Sequence, residues 1–282
     1  MKITALIENK ALPGLCCEHG LAVHIAYKGK NYLLDTGASD VFLENAKALQ
    51  IDLTQVDAAM LSHAHYDHSG GYEGFFRQND RAKVYLREAA KKLCYKMKDG
   101  EVYIGIPEGV LDGYRERFVF LKEDCCLEEG VWLIGHHTPG LAQRGKQAHM
   151  YYRGKNGLLP DDFAHEQSLV FETEKGLVIL NSCSHGGIDI IIREVMDVLP
   201  GRPIAAVVGG FHLMGTDGVA SMRGSHKEVA ALGERLLELG VGHIYTGHCT
   251  GDPAFAVLQE VLGDKMSYFC TGTTIELEEA AE

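Results

Sequence analysis

The chain has 282 residues, 46% of them apolar, with a formal net charge of −12, seven prolines and eight cysteines. That length suits one layered α/β domain with a substantial core. The acidity disfavours a nucleic-acid or anionic-membrane partner and leaves a small-molecule substrate as the expected one. No Pro/Ser-rich linker, repeat or low-complexity tract occurs. No apolar run approaches the roughly 18 residues of a membrane span. The opening residues Met1 to Glu8 read as a short strand and not as a signal peptide. With no secretory signal, the expectation is a cytoplasmic protein with reduced thiols. No CxxC spacing supports a cysteine-only zinc site.

Leu21 to Tyr27 and Asn31 to Asp35 flank Lys28-Gly29-Lys30 and read as a hairpin. Residues 39–50 predict a helix with Ser39 as N-cap, and Val56 to Leu61 a strand. Residues 87–98 predict a second helix, with Lys91, Lys92, Lys96 and Lys98 on a solvated face. Residues 99–165 hold short β-like pieces around Val102, Phe118 and Val131 to Ile134, and read as an insertion or lid over a site. Ser168 to Glu172 and Leu177 to Leu180 form another hairpin. Then follow helix 187–199, strand Ile204 to Val208, helix 224–239, strand His243 to Thr246, helix 253–262 and two closing strands within 266–277. Hairpins mixed with β-α units predict sheet-on-sheet packing with outer helices.

The strand Val56 to Leu61 leads into His63-Ala64-His65-Tyr66-Asp67-His68, just before Ser69-Gly70-Gly71. In an extended segment His63 and His65 point to one side, and the glycines allow an abrupt turn. One short loop can therefore offer two nitrogens to one metal, and Asp67 with His68 to a second. Imidazole and carboxylate suit Zn²⁺ first, with Fe or Mn as alternatives. Three more histidines each sit beside glycines just past an apolar strand: His185, His212 and His248. Strand-end loops converge on the site in layered α/β folds. His185 and His248 are therefore expected as ligands, and His212 as a hydrogen-bond donor to substrate or leaving group. The pair Glu18-His19 reads equally as turn residues or as a substrate contact. Cys183 and Cys249 stand out from the other thiols, which read as packing residues.

His63-x-His65-x-Asp67-His68 after a strand resembles the central signature of the metallo-β-lactamase superfamily, and the resemblance covers nearly the whole chain. It implies a four-layer αβ/βα sandwich, with residues 1–282 as a single domain and one or two divalent metal ions at one edge. Leu33-Leu34-Asp35-Thr36-Gly37 matches the segment before the first helix of that family, which implies that Asp35 steers a ligand histidine. Gln167-Ser168-Leu169-Val170, Cys183-Ser184-His185-Gly186-Gly187, Gly209-Gly210-Phe211-His212 and Thr246-Gly247-His248-Cys249 resemble motifs of one subgroup, the archaeal dihydropterin ribofuranosylaminobenzene phosphate synthases. Two departures stand out. Thr138-Pro139-Gly140 is followed by Leu141 where the family has a third ligand histidine, and an alternative alignment puts Glu166 there, with His165 beside it. The bridging aspartate is absent, with Cys183 near its place.

These residues imply a metal-dependent hydrolase of an ester, lactone or phosphoester, with Asp67 binding metal and orienting water. The subgroup implies an alternative, transfer at a phosphoribosyl centre, and the altered positions imply another, a non-catalytic sensor. No Gly-x-x-x-x-Gly-Lys motif occurs, so an anionic group would fall to the metals or to the helix start at Gly186-Gly187. Asp35-Thr36-Gly37 also resembles an aspartic-protease loop. That chemistry needs a second such aspartate, and the chain has none. Di-iron members of the superfamily carry Glu where His65 stands, which argues against oxygen reduction.

Overall fold

The computed structural model describes residues 1–97 and 99–277. Two seven-stranded sheets stack face to face. In spatial order, one contains Thr274–Glu276, Lys2–Ile7, Ala22–Tyr27, Lys30–Leu34, Ala58–Met60, Lys83–Arg87 and Phe118–Leu121. The other contains Met266–Tyr268, His243–Thr246, Ile204–Val208, Gly176–Leu180, Gln167–Thr173, Val131–Gly135 and Cys125–Glu128. The period-two alternation of each strand explains the layering. Tyr32 and Leu34 point between the sheets, where they meet Leu133, Phe171, Val178 and Val208. Leu33, between them in sequence, points outward to Phe42, Phe75 and Val84. On the other sheet Ile179 and Val170 face outward to the helices. Both faces of both sheets are covered, so their strands are apolar on both sides.

The outer helix Ile188–Val198 buries Ile188, Ile191, Ile192 and Val195, one helical stripe. The helix His226–Glu238 buries Val229, Leu232 and Leu236, and is opened by a capping box of Ser225 and Glu228. Each such aliphatic side chain contributes about 1.5–3 kcal/mol on full burial. Among the described residues no helix is long and apolar enough to cross a membrane.

What positions the site is strand direction. Lys30–Leu34, Ala58–Met60 and Lys83–Arg87 run parallel in the first sheet. Gly176–Leu180, Ile204–Val208 and His243–Thr246 run parallel in the second. The loops leaving the C-terminal ends of five of these strands carry Asp35, His63 to His68, Cys183 with His185, His212, and His248.

Most predicted elements appear, with shifted ends. The 21–27/31–35 hairpin is antiparallel, Val23 opposite Leu34. The helix expected over 39–50 is Val41–Ala48, and its N-cap is Asp40 rather than the expected Ser39, whose hydroxyl accepts from the Val41 amide at 3.3 Å from one residue further out. The two closing strands join different sheets. The helix expected over 87–98 is not formed. Lys83–Arg87 is a strand, Glu88–Lys91 one 3₁₀ turn, and Cys94–Met97 a strand, with Lys98 outside the described residues. Tertiary pairing overrides the helix propensity of Ala89, Ala90 and the lysines: Tyr95 lies opposite both Tyr151 and Tyr103. Residues 99–165 are divided. Phe118–Leu121 and Cys125–Glu128 are edge strands of the two large sheets, and Val131–Gly135 lies between Cys125–Glu128 and Gln167–Thr173. Glu101–Tyr103, Met150–Gly154 and Gly157–Pro160 join Cys94–Met97 in a separate four-stranded sheet.

Candidate metal centre

The run 63–68 leaves the strand Ala58–Met60 and enters the one-turn helix Tyr66–Ser69. Gly70 follows it, and glycine is required there because a Cβ would stand 2.1 Å from the Ala38 carbonyl oxygen. Asp35 ties the loops together from beneath. It is fully buried and sits at φ +62°, a left-handed position that aspartate tolerates better than most residues. Its carboxylate accepts from the Ser62 amide at 2.7 Å, the Ser62 and Ser182 hydroxyls at 2.6 Å each, and His68 Nδ1 at 2.8 Å. Asp35 therefore steers a histidine of the run, as the resemblance implies, and that histidine is His68.

The tautomers follow from the partners. The Ser62 hydroxyl gives its proton to Asp35, so at 2.8 Å it accepts from His63 Nδ1. His248 Nδ1 donates to Asn9 Oδ1 at 2.9 Å. Each ring is left with Nε2 facing inward, the arrangement that outer partners impose on metal-binding imidazoles.

Two groups of donors result. In the first, the rings of His63, His65 and His185 lie 4.6, 4.9 and 5.0 Å apart, centroid to centroid. His63 Nε2, His65 Nε2 and both nitrogens of His185 are buried with no hydrogen-bond partner. An unsatisfied buried polar atom costs about 1–3 kcal/mol; unpartnered nitrogens of His63 and His185 that share Cys183 within 4.8 Å, with the His65 ring beside both, fit the demand of a cation for lone pairs. Burial, helped by repulsion from neighbouring imidazoles, holds the pKa values of His63 and His185 well below the ordinary value and that of His65 at about 3. These rings are neutral at pH 7, the state that ligates.

In the second group, Asp67 Oδ2 lies 3.5 Å from the Nε2 atoms of both His68 and His248, and 3.3 Å from Nε2 of the half-exposed His19. His68 and His248 Nε2 are 3.2 Å apart. Burial opposes charge on Asp67, but His68, His248 and His19 outweigh it and hold the carboxyl well below the usual range. Burial likewise opposes charge on His68, and Asp67 with Asp35 outweighs it and pushes the pKa up to about 10. Positive charge is thus favoured here. Cys183 is common to both groups. Its Sγ is 3.3 Å from His68 Nε2, and it falls within 4.8 Å of donors of His63 and His185 on one side and of His68 and His248 on the other. Burial raises its thiol pKa; a cation reverses that. Cys183 lies between the two groups.

Other expected residues serve differently. Glu166 is no donor to either group: its oxygens accept from the His185 and Gly186 amides at 2.9 and 3.1 Å, which fixes the His185 loop. Glu18 does not face the centre. It accepts from the Ala38 and Ser39 amides and the Ser39 hydroxyl, whereas its neighbour His19 reaches Asp67. His212 lies beside the first group, its ring 4.2 Å from that of His185 and its Nε2 unpartnered.

Sequence reasoning missed the supports. Buried Glu8 accepts from the His248 amide, and burial pushes its pKa up to about 7. His165 Nδ1 accepts from the Ala64 amide at 3.2 Å, while Nε2 pairs with Asp161 at 3.2 Å. Donor atoms of His65, Cys94, Asp161 and His165, all buried, fall within 4.8 Å of one another. The acidic Glu8 at the end of the apolar strand Lys2–Ile7 was the one available signal.

The two stacked sheets with outer helices and this constellation at one edge have known counterparts. The sequence model of the Metallo-beta-lactamase superfamily matches residues 17–198, and the chain belongs to that superfamily. It is 28% identical to the 7,8-dihydropterin-6-methyl-4-(beta-D-ribofuranosyl)-aminobenzene-5'-phosphate synthase of Methanocaldococcus jannaschii, over 92% of this chain and 90% of that one. A solved metal-dependent hydrolase of the beta-lactamase superfamily, Tm1679, is 30% identical, with a TM-score of 0.83 over 99% of this chain and 100% of that one. Zn(2+)-bound PqqB from Methylobacterium extorquens shares the fold, at 12% identity and TM-score 0.56 over 98% of this chain and 100% of that one.

Proposed function

We propose that the protein is a metal-dependent hydrolase that opens an ester, lactone or phosphoester bond of a small molecule at two adjacent cation positions. His63, His65 and His185 would hold one cation and Asp67, His68 and His248 the other, with Cys183 between them. The observation that carries this reading is the set of buried, partnerless nitrogens on His63, His65 and His185. Imidazole, thiolate and carboxylate together suit zinc. When bound, such cations supply Lewis acidity, acidifying water and drawing charge from a carbonyl or phosphoryl oxygen.

The chain's own residues do the rest. Asp67 reaches His19 at the open side of the site, where it would help hold a cation and orient the attacking water. His212, unpartnered beside His185, donates toward the leaving group. Asp35 and Glu166 fix the two loops that carry the donors. Turnover of a panel of phosphoesters and lactones by zinc- or manganese-loaded protein tests this. Hydrolysis that Asp67→Ala abolishes supports it, and hydrolysis unchanged in that variant at full metal content contradicts it.

The likeness to the archaeal synthase favours a second reading, transfer at a phosphoribosyl centre. In that case the same groups would activate an acceptor or hold a leaving pyrophosphate. Accumulation of a condensation product with no net hydrolysis would favour it.

A further inference from the structure

A cavity of about 210 Å³ opens beside the first donor group. It is smaller than the ~300–1,000 Å³ pockets that enclose a whole small ligand, so it has room for one end of a substrate. His185 and His212 line its inner side, and the start of the helix Ile188–Val198 lines another. In a chain of net charge −12, three arginines also line it: Arg144, Arg223 and Arg235. Two acidic residues line it as well, and the Asp189 pair neutralises one of the three arginines within the lining. Asp189 pairs with Arg235 at 2.7 Å, and Glu228 accepts from the Ser225 amide and hydroxyl. Arg144 and Arg223 have no ion-pair or side-chain hydrogen-bond partner among the described residues.

Their placement is specific. Gly187, at φ +92°, precedes the helix, and a Cβ there would stand 3.0 Å from Arg144 Nη2. The guanidinium therefore lies against bare backbone at the helix start, where the Ile188 and Asp189 amides have no intrahelical acceptor while those of Ile190 and Ile191 bond the Gly187 carbonyl. Arg223 is half-buried on the strand Gly218–Met222's exit, and burial lowers its pKa. An unpaired, partly desolvated guanidinium is costly unless an anion meets it. The buried His185 ring lines the same cavity with both nitrogens unpartnered, and one of them falls within 4.8 Å of the His63 and Cys183 donors.

We propose that this cavity seats the phosphate-monoester group of the substrate, with Arg144 and Arg223 as its two clamps and the helix start as a third donor. Two planar guanidiniums and a helix N-terminus suit a tetrahedral dianion with three free oxygens better than a planar carboxylate. This narrows the proposed substrate class to phosphorylated small molecules and rests on the reading of the adjacent donors as the reaction centre. Seated there, the phosphate anchors the substrate, and the bond to be broken lies toward His185.

Calorimetric titration tests it, with inorganic phosphate, phenyl phosphate and benzoate, into zinc-loaded protein and into protein stripped with chelator. Wild type, Arg223→Gln, Arg144→Gln and Gly187→Ala are compared, with metal content and thermal midpoint measured on each. Phosphate and phenyl phosphate should bind wild type in both metal states, and benzoate at least tenfold more weakly. Each arginine variant should lose about tenfold or more in phosphate affinity at unchanged metal content. Gly187→Ala, which displaces Arg144, should lose less. Phosphate binding that disappears with the metal, or that both arginine variants retain, would overturn the proposal, as would benzoate binding equally well or wild type binding no phosphate. Arginine-dependent phosphate binding in a protein that takes up no metal would uphold the anion seat and remove the metal reading alone.

Discussion

The two donor groups lie side by side, yet they solve the problem of buried polarity in opposite ways. His63, His65 and His185 form a neutral, enclosed cluster whose inward nitrogens meet no hydrogen-bond donor. Asp67, His68, His248 and His19 form a charged cluster, internally paired and open on the His19 side. The first group has no protein partner for its lone pairs, so it depends most on a cation. The second is satisfied in part by its own ion pairs, and its carboxylates supply the attraction. Neutral imidazole lone pairs select for a borderline cation such as zinc, and buried negative charge for a cation of any kind.

The comparison breaks most readily at the first group. His185→Ala should remove a ligand outright and lower turnover by more than the about 10–100-fold typical of outer partners. Kinetics beside metal analysis check this. The loss should exceed that of any single change in the second group's supports.

Comparable in free energy is an effect at His24, a buried histidine that belongs to neither group and so isolates what burial alone does. Burial lowers its pKa to about 4. Between pH 6.5 and 4 the unfolded chain binds a proton there and the folded chain does not, so stability falls as pH falls through that window and is complete above it. The span corresponds to about 3 kcal/mol. His24→Gln should flatten the fall, measured by urea unfolding at pH 7.5 and 4.5. Equal pH dependence in both proteins would mean that burial does not hold these imidazoles neutral.

Asp35→Asn comes next. Asparagine also tolerates a left-handed backbone, but it removes the charge behind His68. Affinity at the second position should fall about 10–100-fold while the first keeps its metal, as a chelator-competition titration would show. The smallest effect is expected for His19→Ala. A half-exposed contact at 3.3 Å from Asp67 is screened by solvent, so turnover should change by less than about tenfold, with KM carrying most of it.

The contrast between the groups also explains what the sequence made legible. His63 to His68 lie in one short segment behind a strand, so local spacing exposes them. His185 and His248 were visible because each follows an apolar strand and borders glycines. Asp35 needed the resemblance, since nothing local to it marks a partner 33 residues away. Glu8, Asn9 and His165 act through contacts spanning 101 to 240 residues, which no periodicity encodes, and Asp161 acts through His165. Glu18 takes the turn role that the sequence offered beside substrate contact, and Glu166 supports the His185 loop from behind. Each is a carboxylate near the right loop, but the free backbone amides of that loop claimed it first. The failed helix at 87–98 is the same lesson in the backbone: a locally helical composition yields when Tyr95 finds strands on both sides.

Metal stoichiometry by mass spectrometry, on protein purified without chelator and on His185→Ala and Asp67→Ala, tests the two-position centre most directly. Close to two equivalents in wild type, falling by about one in each variant with the other cation retained, is the predicted result. No metal after reconstitution with zinc, iron or manganese, or a wild-type stoichiometry that neither variant lowers, would contradict it.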